Sequence, residues 1–87
     1  MDIQNLRSQI DDIDQQLTAL FCKRMALSAQ VAQYKQERGL PILVPEREKE
    51  VLEGVRQRSG QELGPYAAAL YEKIMELSRQ YQKERML

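Results

Sequence analysis

The chain has no histidine among its 87 residues, and that absence excludes more chemistry than any motif in it suggests. Histidine triads, histidine general bases and the usual zinc sites are out of reach. A single cysteine, Cys22, cannot form an internal disulfide, which leads to the expectation of a cytoplasmic protein. There is no excess of either charge: 13 basic side chains balance 13 acidic ones, so the basic face of a nucleic-acid binder is not expected. No apolar run approaches the ~20 residues of a membrane span. The opening Met-Asp-Ile-Gln-Asn-Leu-Arg also lacks the basic-then-apolar layout of a signal peptide. Any reaction here must use carboxylates, amides, hydroxyls, lysine and arginine.

Helix breakers are scarce and confined. All four glycines and all three prolines lie between Gly39 and Pro65, and the stretches 1–38 and 66–87 have none. Those stretches are rich in Gln, Leu, Ala, Lys, Arg and Glu, whose side chains lose little rotamer freedom in a helix. Ile3, Leu6, Ile10, Ile13, Leu17 and Leu20 step by three and four, and Leu27, Val31 and Tyr34 resume the row. This period predicts a helix over about 3–38, capped by Asp2 and stopped by Gly39 and Pro41. A second helix is expected over about 46–59, entered through Pro45, with Val51, Leu52 and Val55 inward. A third is expected over about 65–85, with Ala67, Leu70, Ile74, Leu77 and Tyr81 on its inner face. The expectation is one all-α domain over 1–87, with one long N-terminal helix and two shorter ones.

A helix of that length would measure ~54 Å, whereas a compact 87-residue domain has a radius of gyration of roughly 12 Å. It therefore overhangs any globule the chain could make alone, and its apolar stripe needs a partner. A second copy is the simplest, which predicts an intertwined helical homodimer.

Several polar residues interrupt the apolar rows. Arg24 stands where the row of the first helix should continue, and Lys35 lies eleven residues on, on the same face and roughly 16 Å away. Ser28 lies between them. Any one of these suits a snorkelling or solvated side chain; together they favour an anion site. Arg7 lies ~25 Å from Arg24 along the axis, out of reach of one small ligand within one chain, but near the middle of an antiparallel partner. Pro45-Glu46-Arg47-Glu48 reads as an ordinary helix start except for Arg47, a cation at the positive end of the helix dipole. Ser78 and Gln82 are four apart at the edge of the third helix's stripe. Physical reasoning alone reaches a helical dimer that binds a small dianion.

Taken together these residues resemble the all-helical (type II) chorismate mutases over essentially the whole chain. Leu6-Arg7 followed by Ile10-Asp11-Asp12-Ile13-Asp14 and Leu17 is similar to that family's first half-helix. Arg24, Lys35, the Arg47-Glu48 pair, Ser78 and Gln82 match its polar positions in order. Val44 departs from the pattern, standing where better-known members carry an aspartate whose backbone contacts the substrate hydroxyl. The resemblance implies rearrangement of chorismate to prephenate, without metal or cofactor, in sites shared by two chains. It implies that the partner's Arg7, with Arg24 and Arg47, clamps the two carboxylates, assisted by Ser78. Lys35 and Gln82 would donate to the breaking ether oxygen, and Glu48 would hold the ring hydroxyl. An isochorismate–pyruvate lyase on the same fold, and a helical dimerisation module without catalysis, are the alternatives. Glu48 favours the mutase over the lyase.

Overall fold

The computed structural model describes residues 2–86, and among them there are two helices and no strand. The first, α1 (Ile3–Arg38), starts where the Asp2 carboxylate accepts the Gln4 amide at 3.0 Å. It ends where Gly39 takes the left-handed conformation (φ 63°) and returns its N–H to the last carbonyls. A short linker, residues 39–44, reverses the chain. The second helix, α2 (Pro45–Arg85), opens on Pro45, whose missing N–H falls among the unpaired donors of a first turn. Glu46 and Glu48 complement the dipole there. No helix is long and apolar enough to cross a membrane among the described residues.

The expectation of three helices is therefore corrected to two. The stretch 60–64, expected to be a loop, is helical except at one residue. Gly60 alone has non-helical dihedrals (φ 81°, ψ 173°), a region only glycine occupies without strain. Residues 45–59 and 61–85 are thus two arms of one bent helix. They fold back on each other: a Cβ built on Gly64 would lie 3.4 Å from the Arg56 carbonyl oxygen. Eight residues along a straight helix would be ~12 Å apart. Pro65, expected to open a third helix, instead lies one turn inside the second arm, where it removes the donor for a carbonyl four residues back.

The faces that meet within the chain also differ from the expected ones. On the second arm the buried row is Gly64, Ala68, Met75, Ser78 and Gln82, and on α1 it is Ser28 and Ala32. These are mostly small or polar residues. Of the bulky residues expected inside, Ile74, Leu77 and Tyr81 are half-buried at the edge of this contact, while Leu27, Val31 and Tyr34 are exposed on α1 and Leu63, Tyr66 and Leu70 on α2. Every residue from Asp2 to Leu20 is exposed, because the first arm of α2 is too short to run alongside that half of α1. The radius of gyration is 16.0 Å and the molecule is 55 Å long. Its accessible surface, 7,091 Å², compares with about 5,300 Å² expected of a compact monomer of this mass.

Because nothing lies within 4 Å of the Cβ position of Gly60, a side chain there meets no steric clash and pays only for backbone strain. Gly60→Ala should cost about 1–3 kcal/mol, read as a lower urea midpoint at fixed protein concentration. An unchanged midpoint would show that the bend does not depend on glycine.

Candidate active site

Three helix faces converge on one cleft of about 520 Å³. α1 contributes Arg24, Leu27, Ser28, Val31 and Lys35, which follow its three-and-four spacing along one side. The linker contributes Ile42 and Val44, and the first arm of α2 adds Arg47, Glu48 and Val51. The second arm closes the cleft with Met75, Ser78, Arg79 and Gln82. All the expected site residues but one are gathered here. Arg7 is the exception: it lies exposed on the overhanging half of α1, seventeen residues before Arg24 and so ~25 Å away along the axis.

Each polar side chain is held by a local device. The Lys35 ammonium donates to the Ile42 carbonyl at 2.6 Å, tying the linker over the end of α1. Its remaining protons are left for other acceptors. The Arg24 guanidinium stands 5.8 Å from the centre of the Tyr71 ring, a cation–π contact that joins α1 to the second arm. Arg47 pairs with Glu50 one turn on, and both are well exposed, so this pair restrains the arginine only weakly. Val44 is half-buried and contributes an apolar wall where a carboxylate would add negative charge.

At the floor lie Ser28, Ser78 and Gln82, each 6–7% exposed and all in one hydrogen-bonded chain. The hydroxyls of Ser28 and Ser78 bond to each other across the α1–α2 contact. Gln82 Nε2 donates to Ser78 Oγ at 3.4 Å. Gln82 Oε1 is buried without a partner among the described residues. Burying such polar groups costs free energy unless they are bonded, and here no apolar residue takes their place.

Arg79 is the site residue that sequence reasoning missed. Its Nη1 bonds both oxygens of Glu48, at 2.6 and 2.5 Å, bridging the two arms of α2. Both side chains are about three-quarters buried, so the pair is better shielded from water than the other ion pairs among the described residues. A signal existed: Arg79 is four residues after Met75 and three before Gln82, on the face that lines the cleft.

Around the cleft, Arg24, Lys35, Arg47 and Arg79 oppose the single carboxylate of Glu48. Such a site attracts an anion of more than one charge. Carboxylates and phosphates both suit it, because planar guanidinium groups can hold either in paired hydrogen bonds. Among the described residues no group of histidine, cysteine, aspartate or glutamate could hold a metal ion.

Comparison with known proteins bears on this arrangement. The chain is 46% identical over 54 residues to the T-protein of Haemophilus influenzae, a match covering 62% of the chain and 14% of that protein. It is 37% identical over 54 residues to the bifunctional chorismate mutase/prephenate dehydratase of Aquifex aeolicus, covering 62% and 15%. It is 38% identical over 52 residues to the chorismate mutase of Methanocaldococcus jannaschii, covering 60% of the chain and 52% of that protein. The matches thus span about half or less of these curated relatives. No solved structure matches the chain. The family model described as chorismate mutase type II matches residues 6–83, nearly the full length and all the helix faces that form the cleft, so the chain belongs to the chorismate mutase type II family.

Proposed function

We propose that this chain converts chorismate to prephenate, acting as a single cytoplasmic catalytic domain that works as a homodimer. The observation that carries the reading is the cleft itself, where four cations, one carboxylate and a buried amide converge from three helix faces. Chorismate is a dianion. Its rearrangement is a concerted isomerisation in which an ether C–O bond breaks as a C–C bond forms, with no external nucleophile. The protein has two tasks: to hold the compact conformer in which the reacting ends meet, and to stabilise charge developing on the ether oxygen.

Arg24 and Arg47, from opposite sides of the cleft, hold the two carboxylates, with Ser78 donating beside them. Lys35, anchored at Ile42, and Gln82, anchored at Ser78, supply donors to the ether oxygen. Because both donors are anchored before substrate arrives, little reorganisation accompanies the reaction. Glu48 accepts the ring hydroxyl, and Arg79 holds that carboxylate in place. Val44 meets the same end of the substrate through its backbone. Glu48 also favours the mutase reaction over elimination of pyruvate from isochorismate. Incubation with each compound separately, followed by product identification, tests this choice: prephenate from chorismate is expected, and salicylate from isochorismate would overturn it.

The homodimer is supported by surface that the chain cannot cover. Each chain exposes about 1,800 Å² more than a compact monomer would. That is ample for an obligate interface, counted over both partners. With the long helices antiparallel, the exposed half of one α1 covers the bulky rows of the other. The partner subunit's Arg7 then reaches the site and completes the carboxylate clamp.

Two measurements test these assignments. Gln82→Ala and Lys35→Ala should each lower kcat by on the order of a hundredfold with a smaller change in KM, because their contacts strengthen only as the ether bond breaks. A rise in KM alone would reassign them to ground-state binding. Separately, Arg7→Ala and Arg24→Ala homodimers should be nearly inactive, yet co-refolding the two should restore roughly a quarter of wild-type activity, since half the dimers then hold one intact site. No recovery, with subunit exchange demonstrated independently, would place both arginines in one chain's site.

A further inference from the structure

Ser28 has no part in the reading above, yet it is one of three buried polar residues among those described, and it bonds directly to another of them. A serine in mid-helix ordinarily turns its hydroxyl back to the carbonyl four residues earlier. Ser28 instead crosses from α1 to α2 and meets Ser78. The Ser78 hydroxyl has one proton and two lone pairs. Gln82 Nε2 already donates to one lone pair. If Ser28 donates to the other, both lone pairs are filled, and the single proton of Ser78 is left to point into the cleft. If Ser78 donates to Ser28, that proton is spent inside the protein and the cleft faces an oxygen that repels anions.

We infer that Ser28 is a positioning residue, whose hydroxyl donates to Ser78 and so turns the Ser78 proton toward a carboxylate of the bound dianion. The inference rests on the reading of the cleft as a dicarboxylate site, and it deepens that reading by naming what sets Ser78. The direction follows from charge. A hydrogen bond from Ser78 to a carboxylate is roughly twice as strong as one between two neutral hydroxyls, so an anion in the cleft selects the arrangement in which Ser28 donates. Without Ser28, the Ser78 hydroxyl is free to bond back to the Ile74 carbonyl on its own helix, and the substrate loses its share of that proton. Ser28 itself touches no reacting atom. Its effect is on binding that is equal in the ground and transition states, so it belongs to KM rather than kcat.

The test compares Ser28→Ala, the near-isosteric Ser28→Cys, Ser78→Ala and the double variant Ser28→Ala/Ser78→Ala in steady-state assays with chorismate. Both Ser28 variants should raise KM roughly three- to tenfold with kcat within about twofold of wild type. In the Ser78→Ala background, Ser28→Ala should change KM no further. A role in packing alone would instead repeat its full effect in that background, which overturns the proposal. If Ser78→Ala raises KM while neither Ser28 variant does, the proposal fails and the assignment of the cleft stands. If Ser78→Ala leaves KM unchanged, the proposal and the assignment of Ser78 fall together.

Discussion

A 36-residue helix in a chain of 87 residues leaves more apolar surface than the rest of the chain can cover, and the other features follow from that mismatch. α2 must fold on itself to give the packed half of α1 two neighbours, yet it still leaves Ile3 to Leu20 bare. The in-chain contact is made largely by small and polar residues, and among the described residues Ala32, Val55, Ala68 and Met75 are the buried apolar ones. Four such side chains are a poor core; at about 25 cal/mol per Å² of apolar surface, most of the available stabilisation lies in the rows still exposed.

The same division explains why a polar cleft can exist in so small a protein. The cleft holds several cations close together, and their mutual repulsion works against folding. Here the cations are dispersed over α1 and the two arms of α2, and the Arg24–Tyr71 and Arg79–Glu48 contacts join those elements. The repulsion is thus partly offset by contacts that also hold the walls of the cleft. An aspartate at position 44 would add negative charge; Val44 leaves the cleft more strongly cationic.

Much of this was legible from residue spacing. The row from Ile3 to Tyr34 gives α1, the breakers between Gly39 and Pro65 mark both reversals, and Arg24, Lys35, Arg47, Glu48, Ser78 and Gln82 do share one cleft. The bend was misread because glycine and proline signal that a helix is interrupted without saying how many residues the interruption takes; Gly60 takes one. The inner face of the second arm was misread because the bulkiest row was assumed to be fully buried in the chain's own core, whereas Ala68, Met75, Ser78 and Gln82 take that place, Ile74, Leu77 and Tyr81 are half-buried and Leu70 is exposed. Arg79 was missed because a charged residue on an amphipathic helix usually faces water, and only the fold-back of α2 brings it to Glu48. Arg7 lies outside the cleft, exposed on the overhanging half of α1.

The bend at Gly60 also bears on how this sequence can vary in length. Turns between helices usually have slack, and insertions gather there. This turn has none. Between Glu48 and Arg79 every residue except Gly60 is helical, so one added residue in either arm would rotate everything beyond it by about 100° and shift it ~1.5 Å. Arg79 would leave Glu48, and Gln82 would leave the cleft floor. The distance in sequence between those two halves of the cleft therefore fixes its geometry as much as the residues themselves do. Within the arms themselves, length changes cannot be absorbed.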